Sequence, residues 1–149
     1  FITALFISTL FIMVFYFYDP GNLLGIFISQ IFHGFFYGIT IPLLWAMIAD
    51  VADYSEWKNN RRATAIIFSA MMVGLKGGLS IGGALVASIL GYYGYLAGAD
   101  QPEAALYGIK MLVSIFPSIP FILSVVVLFF YEIDKDMESM IESDLKTKR

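Results

Sequence analysis

The chain has 149 residues, of which 59% are apolar and 14% are charged, and its formal net charge is −3 at neutral pH. So few charged residues cannot cover the surface of a water-soluble domain, which indicates a membrane protein instead. The absence of cysteine excludes disulfides and thiolate metal sites, and the single histidine, His33, excludes a histidine-rich zinc cluster. Nothing in this composition supports nucleic-acid binding.

Four apolar stretches reach or approach the length that crosses a membrane. A helix needs about 20 mostly apolar residues to span a hydrocarbon core roughly 30 Å thick. The stretches are continuous and rich in Gly, Leu, Ile and Phe. The sequence therefore predicts an all-α membrane protein with four transmembrane helices, at about 1–18, 23–49, 63–91 and 105–131.

The last segment, 132–149, is charged but carries a helical pattern. Ile133, Met137, Ile141 and Leu145 recur every fourth residue, which predicts an amphipathic tail helix. We interpret it as a packing element under the cytoplasmic face. A lipid-sensing role is less favoured, because its acidic residues would be repelled by an anionic leaflet.

The distribution of basic residues predicts the orientation. Cytoplasmic loops carry an excess of Lys and Arg, and the connections 19–22 and 92–103 contain neither. We expect a multi-pass protein with its carboxy-terminus in the cytoplasm. Phe1 already lies inside an apolar run, so we also expect a fragment of a longer chain. Seven of the nine basic residues follow the second and fourth spans: Lys58, Arg61 and Arg62, then Lys135, Lys146, Lys148 and Arg149.

Lys76 lies near the centre of the third span. A cation there costs about 2.5–3.5 kcal/mol on insertion scales unless it is paired or faces water. The acids of this chain lie at the span borders, outside the matching depth. Intramembrane charges usually mark ion or substrate pathways, which we favour over a structural ion pair.

A cluster of acids and bases follows the second span. It can form a latch between two conformational states. The plainer alternative is that the acids solvate a helix end and the bases obey the orientation rule. The candidate gate residues are Asp50, Asp53, Tyr54, Glu56, Lys58 and Arg62.

Polar and aromatic side chains share one face of the second span. Aromatic rings stack on sugar rings, and Gln and His can bond hydroxyls, although such stripes are often only packing. His33 by itself is more often a satisfied interior group than a proton relay. No phosphate-binding loop or nucleophile–base pair is present, so an enzyme is not indicated. The stripe consists of Gln30, His33, Tyr37, Ile41 and Trp45.

Together these motifs resemble a known family. The run Ala49-Asp50-Val51-Ala52-Asp53-Tyr54-Ser55-Glu56-Trp57-Lys58, then Arg62, Phe68-Ser69, Lys76-Gly77-Gly78 and Gly91-Tyr92, is similar to the signature of the glycoside–pentoside–hexuronide:cation symporters. These form the melibiose-carrier branch of the major facilitator superfamily. The resemblance implies that the four spans are helices nine to twelve of a twelve-helix fold.

The resemblance also implies a function and a location. Such carriers take up a sugar or glycoside with Na+, Li+ or H+ by alternating access in the bacterial cytoplasmic membrane, without a cofactor. The partners of this chain would be a small-molecule substrate, the lipid bilayer and the amino-terminal half, which holds the cation-site acids. Lys76 matches the family's membrane lysine, and the charged cluster matches its cytoplasmic gate.

Two departures from the family pattern affect the expected substrate. Met71 and Met72 replace a Gln-Thr pair that precedes the lysine in the melibiose carrier, and Ile41 matches its cavity tryptophan, with Trp45 one turn further along. We therefore expect a more apolar cavity, suited to another glycoside. An amphipathic solute is an alternative, because sodium-dependent lysolipid carriers resemble the same family. A non-transporting four-helix scaffold is the rival from a different class.

Overall fold

The computed structural model describes residues 1–19 and 21–148, and all regular structure in that part of the chain is helical. Arg149, one of the basic tail residues, lies outside the described residues. A short 3-10 turn, Phe15–Phe17, follows the first helix. The helices are α1 (Ile2–Val14), α2 (Leu23–Asn59), α3 (Thr64–Tyr92), α4 (Glu103–Val113), α5 (Ile115–Leu128) and α6 (Lys135–Lys148).

Three helical stretches among the described residues are long and apolar enough to cross a membrane. They are α2, α3 and the consecutive pair α4 and α5, which together run over Glu103–Leu128. The first apolar helix, Ile2–Phe17, is shorter. The chain is thus an all-α, multi-pass membrane protein, and a fourth crossing over 1–18 remains a prediction.

The second helix continues past residue 49, where the predicted span ends. Asn22 caps its start, since its side chain accepts a hydrogen bond from the Gly25 amide at 3.0 Å. The helix ends at Asn59 and is capped by Asn60, whose φ of 50° lies in the left-handed region that asparagine tolerates. Residues 50–59, which we call the α2 extension, are therefore helical rather than a loop.

The predicted span over 105–131 is interrupted at Ser114, which separates α4 from α5. Pro117 lacks the N–H that would bond to the Val113 carbonyl, and in a continuous helix its ring would clash with that carbonyl. Serine hydroxyls compensate: Ser114 donates to the Lys110 carbonyl at 2.5 Å and Ser118 to the Ser114 carbonyl at 2.6 Å. The break is thus local, and the two helices together retain the length of one crossing.

Helix packing buries small polar side chains and leaves large apolar ones outside. Leu24 and Val73 are more than 70% exposed. In water this arrangement would be unstable, but lipid is as apolar as Leu, so close approach of small residues drives packing. The buried polar residues are Ser8, Thr9, Ser29, Thr40, Ser114 and Ser118.

The contact between α1 and α2 is the best developed in the fold. Phe11 stacks on Phe32 with ring centroids 5.1 Å apart, and the Ser29 hydroxyl donates to the Phe11 carbonyl at 3.1 Å. Helix α1 also packs against α5. By contrast, α3 lies beside α2 and α4 and has no buried residue within its described length. Most of its surface is therefore free for other contacts.

Gly108 provides a test of this packing. A Cβ at Gly108 would lie 2.5 Å from the Tyr93 ring, whereas a Cβ at Gly91 would meet nothing within 4 Å. We expect Gly108→Ala to lower stability by about 1–3 kcal/mol through overpacking. Gly91→Ala should stay within about 0.5 kcal/mol of the parent. Thermal unfolding of the detergent-solubilised full-length protein measures both, and equal melting temperatures for the two variants would contradict the packing.

Candidate functional site

Lys76 lies near the middle of α3 and is exposed. Its backbone carbonyl accepts a hydrogen bond from the Ser80 hydroxyl at 3.0 Å, one turn further along. The ion pairs within the described residues do not include its ammonium group. A charge at this depth needs an acid or water to compensate it, and the described residues supply no acid.

A largely apolar groove of about 660 Å³ lies between α1, α2, α3 and α5. Four predicted cavity residues line it: Tyr37, Ile41 and Trp45 from α2 and Met71 from α3. Tyr37, Thr40 and Ser124 contribute the hydroxyl groups of the lining. The other lining residues are Phe1, Leu5, Thr40, Leu44, Leu75, Phe121, Leu123, Ser124, Val127 and Leu128.

Aromatic contacts fix the two largest rings of the groove. Trp45 stacks on Phe68 with centroids 6.1 Å apart, and Tyr37 lies 5.8 Å from Phe121. Both anchored rings still line the groove. Each therefore offers a solute a flat aromatic surface that a neighbouring ring supports.

Three predicted cavity residues, Gln30, His33 and Met72, are not among those that line the groove. His33 instead joins α2 to α1, because its Nδ1 lies 2.9 Å from the Ser8 hydroxyl and 3.0 Å from the Ser8 carbonyl oxygen. Its ring also stacks on Tyr37, with centroids 5.9 Å apart. These contacts favour the satisfied interior role that the sequence suggested for His33.

The predicted gate residues divide into two groups on the α2 extension and just beyond it. Four of them form local polar pairs: the Lys58 ammonium donates to the Tyr54 hydroxyl at 2.9 Å, and the Arg62 Nε lies 3.8 Å from Glu56 Oε2. The arginine side chain is 61% exposed, so solvent screens this pair and it contributes little to stability.

The second group, Asp50 and Asp53, faces the tail helix rather than the bases. Together with Glu138 and Glu142 of α6, these two residues line a pocket of about 170 Å³. Glu142 also accepts a hydrogen bond from Lys146 at 2.6 Å, which holds the pKa of that carboxyl below its usual value.

Trp57 and Asp144 form a contact that the sequence did not reveal. The indole Nε1 of Trp57 donates to Asp144 Oδ2 at 2.8 Å, across a separation of 87 residues. Ile141 and Leu145 are 3% and 6% exposed where α6 packs on α2. The four-residue spacing signalled an apolar face on the tail, but not the helix that it would meet.

Comparison with known proteins identifies the family. The family described as MFS/sugar transport protein matches residues 1–135. The chain is 40% identical to an isoprimeverose transporter of Lactiplantibacillus pentosus over 74% of its length and 38% identical to the putative glycoside/cation symporter YagG of Escherichia coli over 72%. It is also 35% identical to the uncharacterized symporter YjmB of Bacillus subtilis over 76% of its length.

The matched regions cover 23%, 24% and 25% of these three relatives, so the chain spans about a quarter of the length of each. No solved structure matches it. The family match extends from the first apolar helix into the tail and includes the charged cluster, Lys76 and the groove, which confirms the resemblance seen in the sequence. The chain therefore belongs to the MFS/sugar transport protein family, within the major facilitator superfamily.

Proposed function

We propose that this chain is part of a secondary transporter that couples uptake of a sugar or glycoside to Na+, Li+ or H+ by alternating access. The observation that carries the proposal is family membership over residues 1–135, together with relatives named as glycoside/cation symporter and isoprimeverose transporter. The same matches favour transport over a scaffold role.

In this proposal Lys76 is the charge partner of the coupling-cation site. Its ammonium has no acid beside it in the described residues, and the relatives are about four times as long as the region they share with this chain. Acids from the rest of the transporter would neutralise the lysine. A cation that enters or leaves would then change the charge balance around it, which is how binding can bias two conformations.

The groove would form one wall of the substrate cavity. Tyr37 and Trp45 present anchored rings on which a sugar ring can stack, and the Thr40 and Ser124 hydroxyls lie on the same lining. Both hydroxyl protons are used on backbone carbonyls, so these oxygens remain free to accept hydrogen bonds from a solute.

A second candidate is a symporter of an amphipathic solute such as a lysolipid. The apolar lining of the groove favours it, since Ile41 and Met71 present apolar side chains there. The two candidates share the coupling mechanism and differ only in what the groove accepts.

The first test concerns the membrane lysine. We expect Lys76→Met, which keeps the side-chain bulk but removes the charge, to lower cation-driven accumulation at least about tenfold, because a low-dielectric charge contact is worth more than about 1.4 kcal/mol. Lys76→Arg should retain more activity. Proteoliposomes with imposed Na+, Li+ or H+ gradients measure this, and full accumulation by Lys76→Met would refute the assigned role.

The second test concerns the gate. We expect Arg62→Glu to shift the balance between inward-open and outward-open states, because it replaces attraction to Glu56 with repulsion. An exposed pair is worth about 0.2–1 kcal/mol, so labelling of a cysteine at Ile41 should change by about 1.4-fold to fivefold. Arg61→Glu makes the same charge change at the neighbouring position, and an equal response from it would show that the effect is general rather than local.

The third test separates the two solutes. If the groove receives an apolar moiety, alkyl glycosides should compete with uptake more strongly as the alkyl chain lengthens, by about threefold to fourfold per buried methylene. Met71→Gln should weaken that dependence. A flat response across the alkyl series, with strong competition by the free sugar, would instead favour a purely saccharide substrate.

A further inference from the structure

The tail helix α6 is held on the α2 extension by two kinds of attraction. Ile141 and Leu145 are almost fully buried at this contact. Beside them, the Trp57 indole donates a hydrogen bond to the Asp144 carboxylate at 2.8 Å. A neutral donor on a charged acceptor makes a stronger hydrogen bond than two neutral groups do, and salt weakens it less than it weakens an ion pair.

The same contact also brings like charges together. Asp50 and Asp53 of α2 share one small pocket with Glu138 and Glu142 of α6, and the remaining lining residues, Ile133 and Ile141, are apolar. No basic side chain lines this pocket within the described residues. Lys146 bonds to Glu142 from the same helix, so this pair does not attract α6 to α2.

We infer that α6 is a reversible clamp: apolar contacts and the Trp57–Asp144 hydrogen bond dock it on the α2 extension against repulsion between the carboxylates of the two helices. Docking therefore strengthens when this repulsion is screened or when one of the four carboxylates is neutralised. A permanently packed tail would respond to neither change.

The clamp acts on a helix that reaches the groove. Helix α2 is continuous from Leu23 to Asn59, so Trp45 in the groove and Trp57 under the clamp belong to one element. Docking at one end restrains the position of that element, and undocking releases it. This inference goes beyond the proposed transport function and does not depend on which solute is carried.

The clamp is testable by distance measurement without any substrate. The chain has no cysteine of its own, and Asn59 and Ser143 are exposed positions on the two helices. Spin labels at Asn59→Cys and Ser143→Cys report docked and undocked populations in the full-length protein, in nanodiscs of uncharged lipid. The salt concentration is then varied with potassium chloride, while the Na+ concentration is kept constant. Raising potassium chloride from about 0.01 M to about 0.1 M shortens the electrostatic screening length from about 30 Å to about 10 Å. We expect the docked fraction to rise, because the repulsion between the carboxylates is weakened.

Two variants separate attraction from repulsion. Glu138→Gln removes one pocket carboxylate and should raise the ratio of docked to undocked protein by roughly twofold to fivefold. Asp136→Asn is the matched control, because it neutralises an acid of the same helix that does not line the pocket. Trp57→Phe removes the indole N–H donor but keeps an aromatic ring, and it should lower the ratio about threefold to tenfold.

The outcomes are distinct. A single short distance that is insensitive to salt and to Glu138→Gln would overturn the clamp in favour of permanent packing, and so would equal responses of Glu138→Gln and Asp136→Asn. Because the measurement needs no transport, loss of the proposed uptake activity would leave this result intact.

Discussion

Small hydroxyl side chains at helix contacts are the constraint on which the fold depends. In lipid every polar group needs a partner within the protein, and each buried hydroxyl here donates to a backbone carbonyl of its own or a neighbouring helix. Thr9 bonds to Leu5 at 2.7 Å and Ser29 to Phe11 across the α1–α2 contact. Side chains of this size let two backbones approach closely without leaving an unsatisfied group, and no buried side-chain polar atom among the described residues lacks a hydrogen-bond partner. The close approach of α1 to α2 helps to set one wall of the groove.

The fold class could be predicted from the sequence because lipid exposure requires long apolar runs. The ends of the helices could not be predicted, because the length of an apolar run reflects the thickness of the membrane and not the residue at which a helix stops. The α2 extension is polar enough to leave the bilayer, yet it stays helical as far as Asn59. Likewise, Pro117 could bend or break a helix, and only the Ser114 geometry distinguishes the two.

In the candidate site, the helical spacing of residues predicts which side chains share a face, but not which helix that face meets. Tyr37, Ile41 and Trp45 follow one helical face and do line a common groove. His33 continues the same spacing but binds Ser8, because its neighbour in space is α1. Contacts such as Trp57 with Asp144 join residues far apart in the chain, so periodicity within a single helix carries no information about them.

The apolar groove and the charged residues lie at different positions along α2. The groove around Trp45 is nearly free of charge, whereas the extension beyond Asp50 carries acids, bases and the docked tail. A rigid helix that joins two such environments can transmit movement between them without a charge entering the groove. Lys76 lies on the adjacent helix, outside the set of residues that line the groove.

The open surface of α3 has a consequence for biosynthesis. Membrane helices insert individually and associate afterwards, and α3 is apolar enough to insert although it carries Lys76. Its described residues gain little burial from the helices present here. In the proposed carrier, α3 therefore enters the bilayer with an uncompensated charge and stays loosely held until other helices assemble around it.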